Sequence, residues 1–508
     1  MELKSLYYII FIAVFIAVYF ALSKIRNAQK YALLAANLIL IYLASGIRSI
    51  VVIFVLCTES YIAGRAIDNS IESGKKRFAS IYMWLSVTFS IAVLSYFKFF
   101  SDLRTVLFEI ASSKGINISS LIMPIGISYY TLTMIAYIVD VYHKKYKAEK
   151  DFVLYLTFIT YFPTIVEGPI NLYKKVAYQF KTSHEFDIDR GMMGFQRLLW
   201  GYIKKVVIAD RIGILVTNII QDNEAAGFTV FWAMVLYSFQ IYTDFSGGID
   251  VIMGVSEILD IKLTENFRSP LVSKSVTEYW QRWHISLGEF MEKYIYYPIV
   301  LNRNVMKLSK KIPSKYLQKV FSATLASIIV FIIVGIWHGT GWNYVVYGCY
   351  QAFFVSSAVL LNPVYKKITS ALHLSNESIS WNFFKTIRTF VILSFGRCFI
   401  RAGNLGQAAD LFRRIFVGFK WQGIHILFDN SLTDYGLDYK NIDLILISVL
   451  LIILVDILHE HKVHIRSLIL KQDIVFRYAV YLGAIFVIII FGIYGPEFDS
   501  SSFIYEAF

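Results

Sequence analysis

"FIIVGIWHGTGWNYVVYG", residues 331–348, ends an apolar run long enough to cross much of a bilayer on an imidazole, His338, and surrounds it with Gly335, Gly339 and Gly341. A polar ring at membrane depth must find a partner or line water, so such a residue is a functional candidate by default. The plain alternative is a buried histidine donating to a carbonyl of a neighbouring helix. Two features favour a site: glycine permits close backbone approach by a ligand, and the flanking indoles of Trp337 and Trp342 can wall a channel. An imidazole placed there supplies proton abstraction, because its unperturbed pKa lies nearest physiological pH.

Outward from this stretch the chain keeps the same character. Its 508 residues are 57% hydrophobic and 17% aromatic, and apolar runs are separated by short basic loops. This is the composition of a polytopic, all-α membrane protein. Apolar segments fall near 5–23, 31–46, 49–64, 77–99, 121–142, 152–166, 226–244, 320–337, 343–361, 383–400, 441–458 and 475–494. At about 20 apolar residues per helix they predict roughly ten to thirteen crossings, some of them short, tilted or re-entrant. Residues 5–20 resemble a signal-peptide core, but no small-residue cleavage site follows and basic "SKIRNAQK" comes next, as for a retained first helix.

The formal charge of +13 would point to nucleic acid in a soluble protein. Here the Lys and Arg sit in loops between spans, and the positive-inside rule accounts for them without a nucleic-acid partner. Placing "SKIRNAQK" (23–30), "SGKKR" (73–77) and "HKKYKAEK" (143–150) in the cytoplasm leaves an even number of spans between each pair and puts the N-terminus outside. The three cysteines, Cys57, Cys349 and Cys398, lie in or beside apolar segments without CxxC spacing, which argues against a disulfide framework or a zinc site. No linker divides the chain, so residues 1–508 read as one integral-membrane domain.

The least hydrophobic middle, about 171–225 and 260–318, is amphipathic, as in "MMGFQRLLWGYIKKVVIADRIGILV" and "SVTEYWQRWHISLGEFMEKYIYYPI". Such helices lie at the interface or re-enter the membrane. In the second, Ser275 and Glu278 form a capping-box pattern. Trp280, Trp283, Leu287 and Phe290 then share a face, and Glu278–Arg282 and Glu289–Lys293 are spaced to pair. His284 sits between the faces, either as an interfacial histidine or as a second site residue. Two tryptophans, an arginine and a histidine within five residues favour the site, with Arg282 offering positive charge to an acyl-donor phosphate or a developing oxyanion. Residues 401–440 read as a surface helix, "RAGNLGQAADLFRRIF", and a loop.

Three other groups are weighed more plainly. "QIYTDFSGGIDVIMG" (240–254) sets Asp244 and Asp250 around Gly247–Gly248 at the end of an apolar segment, where a structural ion pair is preferred to a pocket role. "VEGPINLYKK" (166–175) is a proline-broken helix end, with Glu167 lining a pocket or pairing with nearby lysines. "HEHKVH" (459–464) lacks the HExxH spacing and reads as a solvated end. No GxSxG, P-loop or dinucleotide fingerprint is present.

Taken in order, "YFKFF" (96–100), "MPIGISYYTLTMIAYIVDVY" (123–142), "EGPI" (167–170), "KKVVIAD" (204–210), "QIYTDFSGGID" (240–250), "ENFRSPLVSKSVTEYWQRWHISL" (265–287), "WHGTGWN" (337–343) and "FIRAGNLGQAADLF" (399–412) carry a resemblance over nearly the whole chain. The sequence resembles the membrane-bound O-acyltransferase (MBOAT) family, in the branch of alginate and peptidoglycan O-acetyltransferases and the lipoteichoic-acid D-alanyl transfer protein. Its ending "FDSSSFIYEAF" is similar to that of alginate-type members. The chain departs from them at Gln351–Ala352, where a His-Gly pair is usual, and at Val300–Leu301 before Asn302–Arg303, where Gly-Gly is usual.

The resemblance implies that His338 is the essential catalytic histidine and His284 the second. Arg282, Trp280, Trp283, Trp337, Trp342, Asn343 and Asp244 are the substrate-binding candidates around them. It also implies a funnel or tunnel of helices joining a cytoplasmic donor, acetyl-CoA or an acyl-carrier-protein thioester, to an extracytoplasmic polysaccharide or cell-wall acceptor. No metal or bound cofactor is required. The expected setting is the lipid of a bacterial inner membrane, with a separately encoded extracytoplasmic SGNH-type acetyltransferase as partner. D-alanyl transfer to teichoic acid is the alternative chemistry. A transporter and a non-catalytic scaffold are rival classes, the former disfavoured by the lack of internal pseudo-symmetry.

Overall fold

The computed structural model describes residues 6–100, 124–225, 227–417 and 431–494. Among these residues the regular structure is helical, and β pairing is confined to one isolated antiparallel bridge between Phe267 and Trp283. The chain forms two compact units. One is built on residues up to Leu199 with Gly248–Thr264, the other on Trp200–Gly247 and the chain from Glu265.

The first unit contains α1 (Leu6–Ala21), α2 (Ala28–Glu72), α3 (Lys76–Phe99), α4 (Ile127–Tyr142) and α5 (Phe152–Ile159). The two apolar segments 31–46 and 49–64 are both in α2, broken where Gly46 takes φ 74° and ψ 179°. That positive φ suits glycine, so the break is written in the sequence. Segment 152–166 behaves differently from expectation. Only Phe152–Ile159 is helical, and 160–171 continues as irregular, largely buried chain. Buried irregular backbone needs substitute partners. Asn37, fully buried in α2, supplies them by donating to the Thr157 carbonyl (3.2 Å) and Thr160 Oγ1 (3.1 Å) and accepting from the Phe162 N–H (2.8 Å).

The three basic loops gather at one end of this unit. Lys147 pairs with Glu72 at 2.8 Å, the Ala148 N–H donates to Asp68 at 3.1 Å, and Lys30 pairs with Asp151 at 2.6 Å.

The second unit begins in the last turn of α6 (Ile188–Tyr202), which runs through a wider π-helical stretch, Ile203–Ala209, into α7 (Asp210–Gln221). It also holds the first two-thirds of α8 (Phe228–Ile258), the short α9 (Val276–Arg282) and α10 (Ile285–Met291), and a run of longer helices. These are α11 (Lys315–His338), α12 (Trp342–Leu360), α13 (Ile379–Arg401), α14 (Leu405–Val417), α15 (Tyr439–Glu460) and α16 (Ile474–Phe491). The connection 418–430 and the ending "FDSSSFIYEAF" lie outside the described residues.

Among the described residues five helices, α2, α3, α11, α15 and α16, are each long and apolar enough to cross a bilayer. A sixth is added if α12 and Asn362–Ala371, bent by 65°, form one broken span. The remaining segments of the expected ten to thirteen are short or interrupted by polar groups. α1 and α4 have 16 residues each, α5 has 8, and α8 and α13 carry ionisable residues within their length.

The apolar run that ends near Asp244 does not end the helix, so Asp244 lies well inside α8. Gly247 serves packing: a Cβ there would come within 2.9 Å of the Gly201 carbonyl oxygen, so the π-helical stretch can lie directly against α8.

Candidate functional site

The site grows out of a break in what reads as one amphipathic helix. Ser275 caps α9, its Oγ accepting from the Glu278 N–H at 3.1 Å, and Glu278 returns a bond to the Lys274 N–H at 2.9 Å. α9 ends at Arg282, and His284 then takes the left-handed conformation, φ 48° and ψ 52°, before α10 starts. A non-glycine residue pays for this conformation, so surrounding structure must hold it. The extended chain around Asn266 does so. The Arg268 N–H donates to the Arg282 carbonyl, the Ile285 N–H to the Asn266 carbonyl, and the Ser286 N–H to Asn266 Oδ1, each at 3.0 Å. The break replaces helical hydrogen bonds with these and turns the His284 ring inward, where it is 1% exposed.

There it meets the end of α11. His338, the last residue of that helix, is 4% exposed and lies within electrostatic range of His284. The Trp337 indole packs on both imidazoles, with centroids 6.1 Å from His284 and 5.2 Å from His338. Phe245 of α8 stands edge-on to His284 at 4.9 Å, and Tyr347 of α12 lies 6.2 Å from His338. Trp283, 4% exposed, is packed by Phe267 at 5.0 Å and stacked on Tyr279 at 5.4 Å. Two imidazoles thus share a compartment walled by aromatic rings. Aromatic walls of this kind can exclude water and orient a substrate, and an imidazole can exchange a proton.

The other sequence candidates take different places. Trp280 of α9 packs on Phe331 of α11 at 5.2 Å and donates to Gln351 Oε1 of α12 at 3.2 Å. Arg282 is held by carboxylates, Glu278 at 2.7 Å and Glu460 at 2.6 Å. Asp244 accepts from Lys205 at 2.6 Å, and Lys205 also pairs with Asp210 at 2.9 Å. Asn343 is fully buried and ties α12 to the end of α13 by donating to the Phe399 and Ala402 carbonyls at 3.0 and 2.9 Å. Trp342 is 74% exposed at the first turn of α12 and is not brought to the histidines. "HEHKVH" runs off the end of α15 with its histidines exposed.

The glycines of the opening stretch also serve a purpose other than ligand approach. A methyl group on Gly335 would overlap the Tyr344 carbonyl, one on Gly348 would overlap that of Phe331, and one on Gly339 would strike the Tyr344 ring. They let α11 and α12 cross at close range, fixing the end of α11 on which His338 sits.

Sequence reasoning passed over three residues. Asn266 holds the His284 break. Gln351, noted only as a departure from a family pattern, is 1% exposed and receives the Trp280 indole N–H. Arg397 of α13 is 5% exposed and donates from Nη2 to the Tyr279 hydroxyl at 2.9 Å. Its guanidinium carbon lies 5.6 Å from the Trp283 ring and 5.9 Å from that of Tyr279. The available signal was an arginine inside the apolar run "FVILSFGRCFI", with no acid within a turn to pair it.

Residues 149–400 match the model of the membrane-bound O-acyltransferase family. The chain is 28% identical over 347 residues to a probable alginate O-acetylase of Pseudomonas putida, covering 68% of this chain and 66% of that protein. It is 27% identical over 364 residues to a peptidoglycan O-acetyltransferase of Helicobacter pylori, covering 66% and 64%. With a teichoic acid D-alanyltransferase of Bacillus subtilis the identity is 30% over 244 residues, covering 47% and 59%. Each match spans less than two thirds of the length of the curated relative.

Proposed function

This chain belongs to the membrane-bound O-acyltransferase family, and from that premise we propose that it is an O-acyltransferase. It moves an acyl group, acetyl in the main reading, from a cytoplasmic thioester to hydroxyls of an exported polysaccharide or cell-wall polymer. The observation that carries this reading is the pair of buried imidazoles, His284 and His338, packed on the one Trp337 indole.

His338 takes the proton of the acceptor hydroxyl as its oxygen attacks the thioester carbon. The carbon–sulfur bond breaks, and the proton passes to the departing thiolate. General-base help of this kind is worth about 10²–10⁴ in rate, and holding both substrates in line adds more. His284, on its held break, positions the reacting groups beside His338. Trp280, Trp283 and Trp337 wall the compartment, whereas Asn343 and Asp244 support it through the contacts described above. The donor is acetyl-CoA or an acyl-carrier-protein thioester.

The gathering of the basic loops 23–30, 73–77 and 143–150 supports placing them together on the cytoplasmic side of a bacterial inner membrane, with the N-terminus outside. A separately encoded SGNH-type transferase outside the membrane would complete delivery to the polymer. D-alanyl transfer is the second reading, favoured by the 30% identity to the Bacillus subtilis relative.

The test is His338→Ala, measured as acyl content of the exported polymer per amount of monodisperse protein in detergent. Loss of at least a hundredfold in acyl transfer, with insertion and folding retained, is the expected result. Wild-type turnover in this variant would leave a non-catalytic scaffold as the better reading.

A further inference from the structure

A cation buried in an apolar surrounding is costly unless something neutralises it. Arg397 is 5% exposed, and among the described residues no carboxylate pairs with it. One side of its guanidinium is engaged: Nη2 donates to the Tyr279 hydroxyl. The other is open, Nη1 being buried without a hydrogen-bond partner among the described residues. The group rests against Trp283, whose chain neighbour is His284, and lies within electrostatic range of Tyr347, which packs on His338. Among the described residues, then, a guanidinium with no paired carboxylate and an unused Nη1 lies behind Trp283 and near Tyr347, residues next to the two histidines.

We propose that Arg397 sets the acyl specificity of this compartment: it admits a neutral acyl group, whose carbonyl oxygen can accept from the guanidinium, and rejects one that carries an ammonium. The inference rests on the acyl-transfer reading above and deepens it. In the transfer step the attacked carbonyl oxygen gains negative charge until the carbon–sulfur bond breaks, and a nearby guanidinium favours that charge. An α-aminoacyl thioester would bring a second cation into the same space. Like charges within a water-poor space repel, and a discrimination of roughly tenfold is expected. On this basis acetyl transfer is favoured over D-alanyl transfer by charge.

The experiment separates charge from size on the donor side first. Purified wild-type protein is given D-alanyl and D-lactyl thioesters of the same carrier at about pH 6.5, where an α-amino group of ordinary pKa near 7.7 is charged. The two acyl groups have nearly the same shape and differ in the ammonium. Transfer of the lactyl group at least tenfold faster in kcat/KM is expected, and equal rates would overturn the proposal without any variant. Arg397→Gln should then narrow the lactyl-to-alanyl ratio tenfold or more, whereas Arg397→Lys should keep it. A ratio unmoved in folded Arg397→Gln also overturns the assignment. Absence of transfer from every thioester, acetyl included, by wild-type protein would instead refute the underlying acyltransferase reading.

Discussion

Among the cations buried in the second unit, Lys205 and Arg397 have surroundings that differ in kind. Lys205 of the π-helical stretch is fully buried between two carboxylates, Asp244 at 2.6 Å and Asp210 at 2.9 Å. Arg397 is nearly as buried but meets a phenol, two aromatic faces and no carboxylate among the described residues. The first arrangement ties the π-helical stretch, α7 and α8 together through paired opposite charges. The second leaves Nη1 without a hydrogen-bond partner among the described residues. The proposal for Arg397 rests on that difference in compensation, since burial is common to both.

The comparison breaks most visibly at Lys205. Replacing one member of a buried ion pair leaves an uncompensated charge and costs about 3–5 kcal/mol. Lys205→Met, which leaves Asp244 and Asp210 facing each other, should therefore reduce the yield of monodisperse protein to a small fraction of wild type. Asp244→Asn keeps the Asp210 partner and should cost less yield, with acyl transfer per folded molecule unchanged. Normal yield with turnover abolished in Asp244→Asn would mean that the lysine cluster takes part in the chemistry, and the distinction between the two cations would fall.

An intermediate effect is expected at Asn266, which belongs to neither class because it supports a conformation instead of a charge. Asn266→Ala removes the acceptor for the Ser286 N–H, a buried hydrogen bond at 3.0 Å. Leaving such a donor unsatisfied costs about 1–3 kcal/mol. Because this bond fixes the start of the helix directly after His284, kcat should fall by more than the thermal midpoint implies, and limited proteolysis should show new cleavage near 283–286. An unchanged kcat at reduced stability would make Asn266 purely structural.

The same contrasts show what could be read from the sequence. Hydropathy located the long helices, and Gly46 closes the first of two apolar runs, where the helix does break. His284 and His338 were visible as polar rings in apolar or amphipathic surroundings, and the structure brings them together. The turn at His284 was not visible, because the partner that holds it, Asn266, is set by tertiary contact across eighteen residues of chain. Segment 152–166 was read as a span for a similar reason: its apolar content is real, but Asn37, more than a hundred residues earlier, satisfies the backbone that leaves the helix. Gly335 and Gly339 were read as room for a ligand, and the close helix crossing they also permit was not visible because it demands the same residue. Arg397 went unread because one sequence cannot say whether an arginine in an apolar run has a counter-charge elsewhere.

The smallest effect is expected where water reaches the pair, in the first unit's 143–150 loop. Glu149 accepts from Lys181 at 2.8 Å, from the Tyr173 hydroxyl at 2.5 Å and from the N–H groups of Lys150 and Asp151 at 2.8 and 2.9 Å. Partial burial alone would raise its pKa, but the donors from Lys181, Tyr173 and the backbone outweigh it and hold the carboxyl at about 2. A depressed carboxyl pKa stabilises the fold fully above the unfolded value, near 4.3, and the contribution is lost as pH falls through the folded value. Lys181 is about half exposed, so screening limits the pair to at most about 1 kcal/mol. Glu149→Gln should accordingly lower the thermal midpoint in detergent slightly at pH 7, and the gap to wild type should close as pH falls from about 4.3 towards 2. A gap that stays constant across that window would show that Glu149 contributes through packing and hydrogen-bond shape, with its charge immaterial, and would place the loop outside the electrostatic contrast drawn between Lys205 and Arg397.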